Sequence, residues 1–544
     1  MPLPRLPRSP WSLHAETLAL LCGLFFAVFS NRLFFRSALD GVAWQEPRGA
    51  LLAVGLWLAL VALHTLILLP LLYRWTFRPV LALLIVSTAF AGHFMERFHV
   101  FLDPTMLRNV IATDVREARD LMSWGLIPHL LLHAVLPLWL LWQVRLKPRR
   151  LLPAVGWRLG TLVLVALVGV GALLLNFQAF ASLMRNHKEV RYLITPANYL
   201  YSMGRVLGSQ AREAGAVRQP IGTDAKAGPG LAAATRPRLL VMVVGETARA
   251  ANWQLSGYAR ATNPELSRED VINFAQVSAC GTNTETSVPC MFAPVGRRQY
   301  DEDRIRTQES LLDVAARAGY RVVWIDNQSG CKGVCAGVES ISITAASAPE
   351  FCRAGECHDE ALVGALRQTA EQTSGNLLVV LHQMGNHGPA YFKRYPATFR
   401  FFEPACESVD LPKCSREHIV NAYDNALRYT DHVLARIVRL LRDHPGHDSA
   451  LLYASDHGES LGERGLFLHG IPYAIAPEEQ TRVPMVWWHS AAFARAVRLD
   501  ANCLKQRATQ PAAHDHLFHT VLGVLDIQTS LYVRDLDVTA GCRP

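Results

Sequence analysis

The sequence has little cysteine in its first half and no apolar run of membrane-spanning length in its last two thirds. Only Cys22 of the 11 cysteines precedes residue 279, and it lies within an apolar run, where a buried apolar role is expected. After residue 183, no apolar stretch reaches the roughly 17 residues that a spanning helix needs. These two absences divide the chain into an apolar membrane part and a globular part that contains cysteine.

The membrane part contains five apolar runs of spanning length. Asn31, Arg32 and Phe35 follow the first run where a signal peptide would need small residues, so this run is interpreted as a retained anchor. Basic residues precede the first run and separate the second from the third and the fourth from the fifth, which predicts that these segments are cytoplasmic. Because the number of runs is odd, everything after residue 183 is then predicted to lie on the side of the membrane opposite the cytoplasm. The runs lie near residues 18–35, 49–73, 79–95, 121–142 and 159–181.

The cysteines of the globular part are spaced in a way that is typical of disulfide bonds. Four pairs close short loops, which leaves Cys503 and Cys542 for each other and indicates an oxidising compartment. A zinc–cysteine cluster is the alternative interpretation, but the spacings lack the paired CxxC units of such clusters. The expected short-loop pairs are Cys280–Cys290, Cys331–Cys335, Cys352–Cys357 and Cys406–Cys414.

The net charge of +8 does not by itself indicate a nucleic-acid partner. Many of the basic residues are the arginines of the predicted cytoplasmic segments, where they fix the orientation of the helices. The remaining basic surface suits anionic lipid headgroups. We therefore expect a membrane protein without a nucleic-acid partner.

The segment between the third and fourth apolar runs is predicted to contain a short helix on the outer side. Asp103 is placed to cap it, and Pro104 suits its first position. Asn109, Thr113 and Glu117 recur every four residues and would share one face. This face is either a solvated surface of an interfacial helix or a polar shelf that recognises the amine of a lipid headgroup through Glu117.

The chain is predicted to have three parts, without internal repeats. Residues 1–183 form a membrane domain of five transmembrane helices, 184–237 form a bridging helix and a Gly-, Ala- and Pro-rich linker, and 238–544 form a soluble α/β domain. In the last part, apolar runs alternate with helical patterns, which predicts a parallel sheet covered on both faces. Strands are expected at 238–244, 321–325, 376–384 and 450–455, and helices at 310–319 and 425–443.

Polar residues follow three of these strands. Glu246 follows the first, His387 the third, and Asp456 with His457 the fourth. Because the functional crevice of an open α/β sheet lies at the carboxyl ends of its strands, these side chains should meet at one edge. Carboxylate and imidazole together suit a divalent metal such as zinc or manganese. His387 and His469 are candidates to complete the site or to contact a phosphoryl oxygen.

The segment GTNTETS, residues 281–287, contains four hydroxyl side chains and is flanked by Cys280 and Cys290. A divalent cation favours the alkoxide of a bound hydroxyl, which makes it a nucleophile. The segment also has the pattern of a loop that enters a helix, and a helix N terminus favours an anionic phosphoryl group. These features predict phosphoryl or sulfuryl transfer through a covalent intermediate, and the residues alone leave open which hydroxyl attacks.

Several long motifs resemble the phosphoethanolamine transferases that modify lipid A, members of the alkaline phosphatase superfamily that include the mobile colistin resistance enzymes. The resemblance extends over nearly the whole chain and implies an alkaline phosphatase-like fold for the soluble α/β domain. The motifs are VVGET (243–247), CGTNTETSVPCMF (280–292), LHQMGNHGPAYFKRY (381–395), NAYDNAL (421–427), SDHGESLGE (455–463) and LHG (468–470).

The resemblance also implies a role for individual residues. Thr284 matches the nucleophile of the family, and it matches a zinc ligand together with Glu246, Asp456 and His457. The residues that match phosphoryl-binding or second-zinc positions are His387, His469 and Lys332, and those that match positions holding the donor headgroup are Asn109, Thr113 and Glu117.

The implied reaction is a ping-pong transfer. Phosphatidylethanolamine gives its phosphoethanolamine to Thr284, diacylglycerol leaves, and a phosphate of lipid A then attacks. The implied location is the bacterial inner membrane, with several spans and the catalytic domain in the periplasm. The implied consequence is a less negative outer membrane and resistance to polymyxins, including colistin.

Other interpretations use the same residues. A phosphoglycerol transferase, a transferase acting on another glycan and a sulfatase are related enzymes, but Met291 stands where the sulfatase motif Cys/Ser-x-Pro-x-Arg has its arginine. A transporter or lipid-binding protein is disfavoured because the apolar runs contain few charges. The sequence departs from the family at Glu285 and Thr286, where relatives often carry Ala and a larger residue. A carboxylate beside Thr284 could alter metal affinity or acceptor preference.

Overall fold

The computed structural model describes residues 11–40, 42, 46–113, 118–119, 121–215, 217–353 and 355–543. The chain forms two compact units. One comprises Met1–Leu107 and Met122–Gly208, and the other comprises Arg108–Leu121 and Ser209–Pro544.

The first unit consists mainly of apolar helices, with one short pair of parallel strands, Trp11–Leu13 and Val144–Leu146. Within the described residues, three helices have the length and composition to cross a membrane, namely Pro47–Leu71, Phe77–Phe98 and Leu151–Leu175. A fourth candidate is the bent pair Ala15–Ser30 and Arg32–Ala38, whereas the apolar helix Leu126–Trp142 is shorter. Each of the five predicted runs thus coincides with an apolar helical segment, and the number of five spans stays a prediction. Four further helices lie between residues 104 and 215, namely Pro104–Ala112, Phe177–Asn186, Lys188–Leu193 (3-10) and Ala197–Gly215.

The bent pair turns by 63° at the break before Arg32. Asn31 is fully buried at this break, where backbone groups lose their helical partners. Its side-chain amide donates to the carbonyls of Phe26 (2.8 Å) and Thr195 (2.7 Å) and accepts from the Thr195 backbone N–H (3.0 Å). The Asn31 side chain therefore supplies hydrogen bonds that an apolar environment could not.

The predicted outer helix begins as expected. It spans Pro104–Ala112, and the Asp103 carboxylate accepts from the backbone N–H of Met106 at 2.8 Å, which confirms the cap. The Thr113 hydroxyl donates to the carbonyl of Asn109 at 2.8 Å. Glu117 lies outside the described residues.

The second unit is built on a sheet of eight strands, numbered here in chain order. Their spatial order is β8-β2-β7-β6-β1-β5-β3-β4. The run β6-β1-β5-β3-β4 is parallel, as predicted, and its first four strands are the four that the sequence indicated. The bounds are β1 Arg238–Gly245, β2 Ile272–Ser278, β3 Arg321–Asp326, β4 Glu339–Ser342, β5 Leu377–His382, β6 Asp448–Ser455, β7 Arg482–His489 and β8 Ala512–Ala513.

The sheet as a whole is mixed rather than parallel as predicted, because β7 runs antiparallel to both β6 and β2. The segment that forms β7 contains Pro484, a residue that usually argues against a central strand. The register with β2 shifts between Val483 and Met485, on either side of this proline. An irregularity at this point lets a strand with an internal proline pair on both sides.

Helices cover the sheet of the second unit. The predicted helix at 310–319 spans Leu311–Arg317, and the one at 425–443 begins earlier, at Arg416, after the cap Ser415. The other helices of this unit are Pro229–Ala232, Thr284–Met291, Glu302–Thr307, Ala361–Glu371, Glu478–Thr481, Ala491–Val497, Ala501–Arg507 and Leu517–Val524.

All five predicted disulfide bonds form. They join Cys280 to Cys290, Cys331 to Cys335, Cys352 to Cys357, Cys406 to Cys414 and Cys503 to Cys542. The alternative of a zinc–cysteine cluster is thereby excluded, and Cys22 is the free thiol. The bond between Cys280 and Cys290 encloses the hydroxyl-rich segment and part of the following helix.

Candidate active site

Two neighbouring parallel strands bring the acidic residues together. In the register of β1 and β6, Gly245 lies opposite Ser455, so the next residues, Glu246 and Asp456, leave the sheet side by side. His457 follows directly, and all three side chains are completely buried. This confirms that the strand ends deliver these residues to one edge of the sheet.

Glu246, Asp456 and His457 form a compact cluster. One ligand atom of each residue lies within 4.8 Å of those of the other two. The hydroxyl of Thr284 faces the same point, with its Oγ1 3.1 Å from Glu246 Oε2 and 3.4 Å from His457 Nε2. We refer to these four residues as the floor of the site.

The ring of His457 has a fixed orientation. Its Nδ1 lies 2.9 Å from the carbonyl oxygen of Gly458, which can only accept, so Nδ1 carries a proton. Its Nε2 then faces Glu246 Oε1 and Asp456 Oδ2, each at 3.3 Å. A lone pair that faces two carboxylate oxygens requires a cation between them, either a proton or a metal ion.

The pKa values reflect this crowding. Burial would lower the pKa of His457, but the charge of Asp456 and the hydrogen bond and charge of Glu246 raise it to about 10. Burial and the nearby charge of Glu246 raise the pKa of Asp456. Burial would also raise the pKa of Glu246, but the hydrogen bond and charge of His457 lower it below its usual range. The floor is therefore a site of concentrated negative charge that favours a bound cation.

The donor set fits a divalent metal such as zinc. Asp456 Oδ2 is buried and has no hydrogen-bond partner among the described residues, although buried carboxylate oxygens are normally paired. Thr247 orients both carboxylates. Its hydroxyl donates to Glu246 Oε1 (2.5 Å), and its backbone N–H donates to Asp456 Oδ1 (3.2 Å). Two carboxylates, one imidazole and a hydroxyl suit zinc, and their partners hold them in place.

Thr284 begins a helix, Thr284–Met291, as the sequence predicted. Asn283 caps it by accepting from the backbone N–H of Thr286 at 3.0 Å. Two other hydroxyls of the segment have structural contacts, because Thr282 donates to the carbonyl of Ile471 (2.7 Å) and Ser287 accepts from the N–H of Gly281 (2.9 Å). Of the hydroxyls in the segment 281–287, Thr284 is the one with a hydrogen bond to the acidic cluster among the described residues.

His469 lies near His457 and His387 lies next to His469, while Lys332 pairs with Glu285, the residue after Thr284; we refer to His387, His469 and Lys332 as the rim. The rings of His457 and His469 are 4.3 Å apart and those of His469 and His387 are 5.8 Å apart, measured between centroids. His469 Nδ1 lies 2.8 Å from the buried Glu459 carboxylate. The rim side chains are slightly more exposed than those of the strand-end ligands, with Lys332 at 7% and His469 at 11%.

Of the predicted headgroup residues, Asn109 lies on the outer helix and Thr113 directly follows its end, and neither is part of the cluster. The neighbouring Arg108 belongs to the same unit as the sheet, and its guanidinium lies 3.2 Å from Glu213 and 3.1 Å from Glu302. This segment is thereby attached to the α/β unit through ion pairs.

Two contacts of the site were missed by sequence reasoning. Gln328 Nε2 donates to Glu246 Oε2 at 3.1 Å, and the Tyr391 hydroxyl donates to Glu459 at 2.5 Å. Gln328 comes two residues after the end of β3, so the rule about strand ends could have found it. Tyr391 is separated from Glu459 by 68 positions in the chain, and no local pattern indicates their contact.

The sheet, with a hydroxyl at a helix N terminus facing buried carboxylates and imidazole, defines the alkaline phosphatase and sulfatase class of enzymes. The family described as Sulfatase matches residues 238–527. The family described as Phosphoethanolamine transferase EptA/EptB matches residues 60–211.

Whole-chain similarities identify the group within this class. Phosphoethanolamine transferase EptA of Escherichia coli K12 is 36% identical over 99% of both chains, and phosphatidylethanolamine transferase Mcr-1 of Escherichia coli is 36% identical over 95% of this chain and 96% of its own. The structure of the integral membrane lipooligosaccharide phosphoethanolamine transferase A from Neisseria meningitidis is 34% identical and covers 98% of this chain and 100% of its own, with a TM-score of 0.93. The chain belongs to the phosphoethanolamine transferase family.

Proposed function

We propose that this protein transfers phosphoethanolamine from phosphatidylethanolamine to a phosphate of lipid A through a phospho-threonine at Thr284. The observation that carries the proposal is the Thr284 hydroxyl, 3.1 Å from Glu246 and 3.4 Å from His457 at the N terminus of a helix. The names of its relatives support the transferred group, and that of the Neisseria relative supports a lipid-linked saccharide acceptor.

The reaction consists of two displacements at phosphorus. The Thr284 oxygen attacks the phosphorus of the donor, and the bond from this phosphorus to the diacylglycerol oxygen breaks. Diacylglycerol leaves as the alcohol after taking up a proton. An oxygen of a lipid A phosphate then forms a bond to the phosphorus of the phospho-threonine, the bond from phosphorus to the Thr284 oxygen breaks, and this oxygen takes up a proton to restore the hydroxyl. The helix N terminus and the rim residues His387, His469 and Lys332 stabilise the negative phosphoryl oxygens.

Zinc is the proposed cofactor, held by the four residues of the floor. When bound, it supplies positive charge that favours the alkoxide of a coordinated hydroxyl at neutral pH. Asn109, Thr113 and Glu117 are proposed to hold the donor headgroup, with a carboxylate available for the ethanolamine amine.

The proposed location is the inner membrane, with five spans in 1–183, a bridging segment in 184–237 and a periplasmic catalytic domain in 238–544. Two observations support this orientation. Basic residues concentrate in the segments assigned to the cytoplasm, and all five disulfide bonds lie in the α/β unit. Masking of lipid A phosphates with an amine reduces surface charge, which weakens the binding of cationic polymyxins.

The test is mass spectrometry of lipid A from a host without this modification that expresses the wild-type chain, Thr284→Ala or Thr284→Ser. We expect a phosphoethanolamine adduct with the wild type, none with Thr284→Ala, and a reduced adduct with Thr284→Ser, which keeps a hydroxyl. An undiminished adduct in Thr284→Ala would contradict the nucleophile. An adduct found on another glycan, with lipid A unmodified, would contradict the acceptor.

A further inference from the structure

Glu285, the departure from the family pattern, is a buried charge with a cation on each oxygen. The residue is 5% exposed. Its Oε1 lies 3.2 Å from Lys332 Nζ, and its Oε2 lies 3.3 Å from Arg306 Nη2. A buried carboxylate is stable only when it is paired in this way, so the two cations fix its direction. The carboxylate therefore points to the rim lysine rather than into the acidic floor.

Arg306 holds Glu285 by its backbone as well as by its side chain. In a helix, the carbonyl of Glu285 would accept from the N–H of residue 289, which is a proline and has none. Arg306 Nη2 donates to this carbonyl at 2.6 Å. On its other side, Arg306 Nε lies 3.1 Å from Glu302. The first turn of the nucleophile helix is thus anchored to the helix Glu302–Thr307.

Lys332 is held in a defined place on its loop. Its backbone φ is +52°, a region that residues other than glycine seldom adopt. Its ammonium donates to the Ser329 carbonyl (3.2 Å) and hydroxyl (2.8 Å) in addition to facing Glu285. An ammonium has three donors, and all three have partners here. Two of these partners are neutral, the Ser329 carbonyl and the Ser329 hydroxyl, and a phosphate oxygen can replace the hydroxyl while the carboxylate keeps the ammonium in place.

We propose that Glu285 is a positioning residue that holds the Lys332 ammonium beside Thr284 for contact with the transferred phosphoryl group. The inference rests on the proposed function. Because Glu285 directly follows Thr284 in the same helical turn, its ion pair with Lys332 fixes the position of the lysine relative to the nucleophile.

The test is a double-mutant cycle on the zinc-loaded full-length chain in detergent. The variants are Glu285→Ala, Lys332→Ala, their combination and the conservative Glu285→Gln. Glu309→Gln is the matched control, because Glu309 also pairs with an arginine, Arg317, but contacts no residue of the floor or rim among the described residues. Two quantities are measured, namely kcat/KM for the phosphatidylethanolamine donor and the dissociation constant of inorganic phosphate by calorimetry.

If Glu285 acts through Lys332, the two losses should not add. We expect each single alanine variant to reduce kcat/KM by about tenfold and to weaken phosphate binding by a similar factor, with the double variant within about twofold of Lys332→Ala. Glu285→Gln keeps an oxygen for the ammonium and should lose about threefold. Glu309→Gln should bind phosphate and turn over donor like the wild type.

Three results would overturn the inference. They are additive losses in the double variant, phosphate binding that is unchanged in Glu285→Ala, and tighter phosphate binding in Glu285→Ala, which would make the carboxylate a competitor for the lysine. A wild-type chain without donor turnover would instead contradict the proposed function. The phosphate cycle would then still decide whether Glu285 positions Lys332, so the two failures are distinguishable.

Discussion

The floor and the rim of the site differ in how they are held. Glu246, Asp456 and His457 leave adjacent strands whose register is fixed by the sheet, and they are completely buried. His469 and Lys332 lie on loops and are oriented by other side chains, Glu459 and Glu285, that are themselves buried. The floor therefore derives its geometry from the backbone, whereas the rim derives its geometry from side-chain pairs.

This difference suits two tasks in phosphoryl transfer. The proposed zinc would have to stay at the same point throughout the cycle, which a rigid set of buried ligands provides. In the proposed transfer, the phosphoryl oxygens move as the donor leaves and the acceptor enters, and side chains on loops can exchange partners. We therefore expect substitutions in the floor to remove the metal and those in the rim to reduce the rate with the metal retained.

Asp456→Asn should have the largest effect and would test the assignment of the metal to the floor. The amide has nearly the same shape but removes one charge and one ligand oxygen from the cluster. We expect the zinc content to fall by about one ion per chain and the transfer rate to fall by more than about 1,000-fold. The zinc content is measured by elemental analysis of the purified variant, and the transfer rate by its turnover of the donor.

The matched control is His387→Gln in the rim, which should retain the zinc of the floor. Full zinc content in Asp456→Asn would contradict the assignment of this carboxylate. Equal loss of zinc in both variants would show that the floor and the rim form a single metal cluster, and the comparison between them would no longer hold.

His469→Gln should have an intermediate effect. His469 Nδ1 lies 2.8 Å from Glu459, which also accepts from Tyr391 at 2.5 Å, so the ring is held with its other nitrogen available. We expect kcat to fall by about 10- to 100-fold while the floor keeps its zinc. Tyr391→Phe removes one support of Glu459 and should reduce kcat by a smaller factor in the same assay.

Zinc content separates the two possible roles of His469. If His469→Gln loses the metal as completely as Asp456→Asn, then His469 belongs with the ligands of the floor. Kinetic measurements alone would not distinguish these outcomes, because both variants are expected to be slow.

The sequence was sufficient to predict most of the floor, for a physical reason. Glu246 and Asp456 each follow a buried strand, and the register between neighbouring parallel strands brings the next residues together. The attacking hydroxyl, in contrast, cannot be predicted from the residues alone, because they leave four candidates. Only the family resemblance indicates Thr284. The contacts of the other hydroxyls, such as Thr282 with Ile471, depend on loops far away in the sequence.

Other features could not be predicted because they depend on partners distant in the chain. Arg306 lies on a separate helix from Glu285, and its backbone contact exists because Pro289 lacks an N–H. The antiparallel strand β7 was missed because Pro484 interrupts its pattern. Local periodicity carries no information about such pairs, although the chemical need for each of them can be explained once the fold is known.

Gln328→Ala should have the smallest effect and would show how strongly the loop that carries Lys332 is coupled to the floor. Gln328 donates to Glu246 Oε2 at 3.1 Å, whereas the hydroxyl of Thr247 donates to Oε1 at 2.5 Å. Because Thr247 remains, the carboxylate of Glu246 keeps one orienting partner. We expect zinc affinity to fall by only about three- to tenfold, at the weak end of the usual range for residues that hydrogen-bond to a metal ligand.

Gln328→Glu has the same shape but removes the donor and places a second carboxylate against Glu246. If the hydrogen bond orients the ligand, this variant should bind zinc more weakly than Gln328→Ala. If it binds zinc more tightly, then the new carboxylate has become a ligand, and the floor extends to the end of β3. Since Gln328 and Lys332 share one loop, a change of phosphate affinity in Gln328→Ala at saturating zinc would show that the loop transmits the state of the floor to the rim.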